Sequence, residues 1–253
     1  MGYHQVSKDF YTKDTKMKNS SKFKTIFKTF VAAIALSVVF AACSKDRIEP
    51  QQVAGLSVIM AFPDTMSLDF IIDQTRVNER SPLKYNSKID YLNLFPGTRR
   101  LGVTKRNGNK LLMSENFNLK SGVGYSVFVL DTLSTNTKKF LLTEDDLSAP
   151  EADKAKVRFI NLSKDGGALS LGIQGKETNL FTSKAFYEYT TFAAVDPGES
   201  VTFNIKEGTT ATVKATVPNV KIEKGKIYTI YAKGVQTATI DSLKLGAAIY
   251  THK

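Results

Sequence analysis

The sequence predicts an all-β protein built as two tandem immunoglobulin-like antiparallel β-sandwich domains behind an N-terminal leader. Three observations carry this prediction. An apolar run near the start ends on the chain's single cysteine, three blocks recur about 100 residues apart, and strand-period patterning between turn residues fills each copy.

The apolar run spans Phe30 to Ala42, 13 residues interrupted only by Ser37. As a helix it covers about 20 Å, short of the ~30 Å hydrocarbon core of a bilayer. Lys18, Lys22, Lys24 and Lys28 precede it, with no acidic residue between Met17 and Ala42. A basic region, a short apolar region and small residues before a cut site describe a secretory signal peptide. Met17 is read as the true start, with residues 1–16 lying upstream of it. The end of the run, "FAAC" from Phe40 to Cys43, resembles the lipobox of bacterial lipoproteins. That resemblance implies a cut before Cys43 and acylation of its sulfur and new amino group. Several acyl chains anchor stably where one is marginal. Residues 1–42 are therefore expected to be the lipoprotein signal region and residues 43–53 the lipid anchor and tether.

Removing the seven lysines and two aspartates of residues 1–42 leaves 28 basic and 22 acidic residues, a net charge of +6 rather than +11. No Lys/Arg cluster interleaves with aromatics as a nucleic-acid groove requires, so nucleic acid is not expected as a partner. With Cys43 lipidated no thiol is left for a disulfide, and apolar burial must hold the fold.

The remaining chain repeats itself. "LSVIMAFPDTMSLDFIID" (Leu56–Asp73) lies over "VRFINLSKDGGALSLGIQ" (Val157–Gln174), and "LFPG" (Leu94–Gly97) over "VDPG" (Val195–Gly198), both at a shift of 101. "LKSGVGYSVFVL" (Leu119–Leu130) lies over "IEKGKIYTIYAK" (Ile222–Lys233) at a shift of 103, pairing Gly122 with Gly225 and Tyr125 with Tyr228. Three blocks in one order at nearly one spacing indicate a tandem duplication.

Each copy reads as strands. "SVTFNIK" puts Val201, Phe203 and Ile205 on one face, and "TATVKATV" does the same with Val213, Ala215 and Val217. "PG" at 96–97 and 197–198, "NGN" at 107–109, "DGG" at 165–167 and "EG" at 207–208 supply the turns. Short strands at this spacing within ~100 residues point to an immunoglobulin-type sandwich. "YSVFVL" and "IYTIYA" are apolar on both parities, as expected of strands buried inside it. The expected division is repeat 1 over 54–143, a linker over 144–155 and repeat 2 over 156–253, with residues 155–253 folding alone. The linker acids Glu144, Asp145, Asp146, Glu151 and Asp153 lack loop-type calcium spacing and read as a solvated run.

"VRFINLSKDGGALSLGI", followed by "VDPGESVTFNI" and "KGKIYTIYAKG", resembles the domain of unknown function 4397 family. The second copy follows the family pattern well and the first more loosely, with Ser57 where Arg158 stands and Ala61 where Leu162 stands. The resemblance implies secreted or lipid-anchored bacterial proteins, often from Bacteroidetes, with Ig-like domains. It carries over no catalytic residue.

Chemistry has few anchors here. His252 is the one histidine after Cys43, so no catalytic residues, metal site or cofactor are expected. The candidate ligand-binding residues are Tyr187 and Tyr189 in "FTSKAFYEYTTF". The 101 shift pairs Phe186 with Tyr85 and Phe192 with Tyr91 as shared core positions, and sets the two tyrosines over polar Asn86 and Lys88. On a strand Tyr187 and Tyr189 would point outward as a stacking surface for sugar or peptide, or against the neighbouring domain. The expected protein is a non-catalytic, lipid-anchored outer-membrane protein, cell surface favoured over the periplasmic face. It binds a glycan, peptide or envelope partner, or alternatively is a structural spacer with no ligand of its own.

Overall fold

The computed structural model describes residues 52–63, 66–130 and 140–252. The signal region, Cys43 and the tether up to residue 51 lie outside the described residues. Residues 52–253 form one compact unit.

Eight strands make the first sandwich: β1 (Ala54–Met60), β2 (Leu68–Ile72), β3 (Thr75–Arg76), β4 (Lys88–Leu94), β5 (Gly97–Lys105), β6 (Leu111–Leu119), β7 (Gly124–Val129) and β8 (Phe140–Asp145). They form two four-stranded sheets, ordered β4-β1-β7-β8 and β3-β2-β5-β6. The second sandwich repeats the plan with β9 (Ala155–Asn161), β10 (Leu169–Ile173), β11 (Asn179–Lys184), β12 (Ala193–Val195), β13 (Gly198–Glu207), β14 (Val213–Ile222), β15 (Ile227–Lys233) and β16 (Gly246–Thr251). Its sheets run β12-β9-β15-β16 and β11-β10-β13-β14, the same order displaced by eight strands. β1 lies antiparallel to β4 and parallel to β7, and β9 repeats this with β12 and β15. The duplication read from sequence is thus a duplication of topology. Gly122 and Gly225 take φ of +74° and +77° in the same turn of each copy, a left-handed conformation that favours glycine.

Period-two alternation sends one set of side chains into each core. Leu56, Val58 and Met60 of β1 meet Phe70, Leu101 and Val103 across the first sandwich, while Val157 and Phe159 of β9 meet Leu171, Phe203 and Ile205 across the second. Burying each such side chain contributes about 1.5–3 kcal/mol.

The opposite parity of β1, β7, β9 and β15 differs from expectation. Ile59, Ala61, Phe128, Leu130 and Leu141 of the first copy pack against Ile160, Leu162 and Tyr231 of the second. The inner sheet of each sandwich is therefore covered on its outward face by the other copy, and four sheets stack in sequence. These strands are apolar on both parities because a seam between copies buries what the sandwich core does not. Phe186 packs at this seam and Lys233 lies over the Tyr85 ring, 4.8 Å from its centroid. The shared aromatic positions of the two copies thus serve the seam rather than a sandwich interior.

Equivalent positions meet there. Phe128 and Tyr231, related by the 103 shift, place ring centroids 6.0 Å apart. The β7–β8 and β15–β16 registers make Asp145 the counterpart of His252, and those two side chains face each other at 3.8 Å. Contact between equivalent positions is the mark of an isologous, two-fold-like interface.

Candidate functional site

A polar cluster sits in the middle of the seam. Arg158 on β9 reaches Asp145 at the end of β8 with Nη2 2.6 Å from Oδ1, both side chains essentially inaccessible. Asp145 also accepts from Tyr91 Oη (2.5 Å) and Ser126 Oγ (2.7 Å). Arg158 Nε donates to Thr229 Oγ1 (2.8 Å), and Thr229 Oγ1 lies 2.7 Å from His252 Nε2. His252 Nδ1 lies 2.6 Å from Tyr91 Oη. One assignment of protons satisfies this whole chain: guanidinium to Thr229, Thr229 to Nε2, the Nδ1 proton to Tyr91, and Tyr91 to the carboxylate. A second chain runs from Arg158 through Tyr250 Oη (3.3 Å) and Ser126 Oγ (3.2 Å) to the same carboxylate.

The assignment requires neutral histidine. Burial pushes the His252 imidazole down to about 4; Asp145 pulls the other way, while Arg158 and Lys88 add to the depression. Burial, then the charge and hydrogen bond of Asp145, push the Tyr91 phenol up. His252 is 2% exposed and Arg158 1%, so the constellation of Asp145, His252 and Thr229 has no path for a substrate and works as a latch between the copies.

The linker acids divide accordingly. Asp145 belongs to the latch, Asp146 pairs with Lys156 (2.9 Å), Glu144 with Lys120 (2.7 Å), and Asp153 with Lys224. No group of three or more potential metal-ligating side chains occurs among the described residues.

Tyr187 and Tyr189 are separated by the local backbone. Phe186–Tyr187 is a turn, not a strand, and Tyr187 has φ of +76°. Its counterpart Asn86 has φ of +65°, so both copies place a left-handed residue here, and a tyrosine there is costly where asparagine is common. The Tyr187 ring turns to the first sandwich, half-buried at the seam, and its Oη donates to the Phe140 carbonyl (2.5 Å). Tyr189 remains 46% exposed.

The surface with binding geometry lies elsewhere, on the outer sheet of the first sandwich. The register aligns Arg76, Ile71, Gly102 and Ser114 in one row across β3, β2, β5 and β6, with Asp69 and Thr104 in the next. A cleft of about 420 Å³ opens over this row, lined by Ile71, Gln74, Arg76, Arg100, Thr104 and Asn109 among others. Its volume falls in the ~300–1,000 Å³ range of small-ligand sites. Gly102 leaves the floor low, and Leu111, 37% exposed, walls one side. Beneath it the fully buried Asp69 carboxylate is held by Arg76 (2.9 Å), Arg106 (2.7 Å) and the Asn107 amide (2.8 Å). Thr104, 2% exposed, lines the cleft with its hydroxyl unpartnered. The signal in the sequence was available: five of the chain's seven arginines fall at positions 76, 80, 99, 100 and 106.

Geometry and topology together define a tandem β-sandwich protein with a sealed polar seam and an open polar cleft. Residues 54–172 match the family model described as "Domain of unknown function (DUF4397)". The matched region runs from the first residue of β1 into β10, taking in the "VRFINLSKDGGALSLG" stretch of the second copy. The polar residues of that stretch are framework. Asn161 Nδ2 donates to the Gly167 and Lys184 carbonyls (both 2.9 Å), and Ser163 Oγ to the Gly234 carbonyl (2.9 Å). No curated protein matches the chain. Among solved structures it is similar to a family 26 carbohydrate-binding module from Eubacterium rectale in complex with maltoheptaose. That likeness has 11% identity and a TM-score of 0.24, over 78% of this chain and 96% of that one. It is also similar to a candidate cell adhesion protein from Bacteroides fragilis, with 8% identity and a TM-score of 0.20, over 79% of this chain and 97% of that one. Scores at that level do not bear on what this chain binds.

Proposed function

We propose that this chain is a lipid-anchored cell-envelope protein that binds a ligand without catalysis, through the outer sheet of its first sandwich. The observation that carries the reading is Thr104, a buried hydroxyl with no partner at the bottom of a cleft rimmed by guanidinium and amide groups. A buried polar group left unmade costs about 1–3 kcal/mol, which a ligand hydrogen bond would offset. Acylated Cys43 tethers the two stacked sandwiches to the outer membrane, with the surface face preferred. Tyr189 is a second candidate contact on the other copy, with Tyr187 behind it at the seam.

Binding is tested by probing glycan and peptide arrays with the full chain and with Thr104→Val. Recognition that weakens in the variant supports the reading, and inertness of the wild type across both arrays leaves the structural spacer. Anchoring is tested by metabolic labelling with a palmitate analogue. Wild type takes the label and Cys43→Ser does not; equal labelling of both contradicts it. Protease shaving of intact cells, with a periplasmic control, decides the face.

A further inference from the structure

We infer that the cleft on the first sandwich takes an acidic saccharide, one whose sugar ring carries a carboxylate or sulfate; this rests on the binding reading above. The charge balance of the outer sheet points to an anion. Asp69 is neutralised by two guanidiniums, Arg76 and Arg106, and Asp73 is taken by Arg99 at 2.8 Å and by the Arg100 amide at 2.8 Å. The guanidiniums of Arg76, Arg106 and Arg99 thus take both of these carboxylates. Arg100 has no carboxylate for its guanidinium among the described residues; Nε and Nη2 both reach Ser114 Oγ, at 3.2 and 3.0 Å. An exposed guanidinium held at the rim of a cleft by a hydroxyl is placed to take a planar oxyanion in the bidentate manner.

The rest of the lining points to a sugar rather than a peptide. Gln74, Asn109, Ser114 and Thr104 offer amides and hydroxyls, which pair with sugar hydroxyls as donor or acceptor. The cleft lies on a sheet face, where the backbone is already paired from β3 through β6. An extended peptide would find no free ladder of N–H and C=O groups there. Ile71 and Leu111 give a small apolar floor and wall for the ring carbons. The equivalent place on the second sandwich is occupied by its own chain. Lys206 stands where Thr104 does, and its Nζ and Cε come within 3.1 Å of where a Cβ on Gly172, the counterpart of Ile71, would lie.

Calorimetric titration of the full chain tests this with three probes: an α-1,4-galacturonate tetramer, a sulfated carrageenan tetrasaccharide and neutral cellotetraose. Binding to one or both acidic probes, weakened on the order of ten-fold by Arg100→Gln and by added salt, is the expected result. Galacturonate alone identifies a carboxylate ligand and carrageenan alone a sulfate. Equal binding of cellotetraose, or acidic binding untouched by Arg100→Gln, overturns the inference. If both acidic probes fail while a neutral glycan or an acidic peptide binds and is lost in Thr104→Val, the ligand class is wrong and the binding reading stands. If no probe and no array member binds, both fall.

Discussion

The two copies carry the same strands in the same order, yet their equivalent positions have taken opposite parts. Where the first copy has Ser57, donating one bond to the Ile89 carbonyl (2.9 Å), the second has Arg158, bonded to Asp145 and the Glu144 carbonyl across the seam and to Thr229 and Tyr250 of its own copy. Where the first ends its last strand in Asp145, the second ends in His252. Tyr91 hydrogen-bonds both of these, and its counterpart Phe192 instead lies under the Arg158 guanidinium, 4.8 Å from its ring centroid, and meets the His252 ring edge-on at 5.6 Å. The lesson is physical. Two identical seam faces would set like charges opposite each other in a low-dielectric place, so a fused pair gains by making one copy the cation and the other the anion. The outer sheets diverge too, into an open cleft on one and a lysine-covered face on the other.

The largest expected effect comes from breaking the latch on one side only. Asp145→Asn leaves Arg158 buried without its counter-ion and should cost about 3–5 kcal/mol in urea unfolding. Ser57→Ala, at the position equivalent to Arg158, should cost about 1 kcal/mol. Equal losses would mean that the two copies are not differentiated at the seam.

Acid should weaken the protein next. His252 titrates near 4 when folded and near 6.5 when unfolded, so the unfolded chain binds the extra proton between those values. Stability contributed by neutral His252 is present above pH 6.5 and is lost as pH falls toward 4. The loss is about 2 kcal/mol by pH 5, at ~1.36 kcal/mol per unit. His252→Gln should flatten that slope between pH 6.5 and 5, and an unchanged slope would place the sensitivity in another group.

A smaller effect belongs to Tyr187→Phe. It removes the bond to the Phe140 carbonyl while keeping the ring at the seam, and should lower stability by about 1 kcal/mol. Smaller still is Arg100→Gln on the outer sheet, expected within about 0.5 kcal/mol of wild type in unfolding.

Much of the architecture was legible. The 101 and 103 shifts laid one copy over the other, and the alternation of Val201, Phe203 and Ile205 was that of a strand with one face in a core. The seam was not legible, because "YSVFVL" shows that both faces of a strand are covered without showing by what. Asp145 looked like one of five linker acids, and its role depends on Arg158 arriving across a sheet stack that local patterning does not encode. The "FYEY" tyrosines read as outward on a strand, and the turn with φ of +76° at Tyr187 redirects the first of them. The cleft needed register: Ile71, Arg76, Gly102 and Ser114 come from four strands spread over 44 positions of the chain.

The central claim is that the seam couples the two sandwiches into one body. Scanning calorimetry of the full chain tests it most directly, comparing the calorimetric enthalpy with the van't Hoff enthalpy. The account predicts one transition with the two enthalpies equal in wild type, and a split or broadened transition in Asp145→Asn. Two separate transitions in wild type, with midpoints that Asp145→Asn leaves in place, would contradict it and leave the copies as independent sandwiches on a linker.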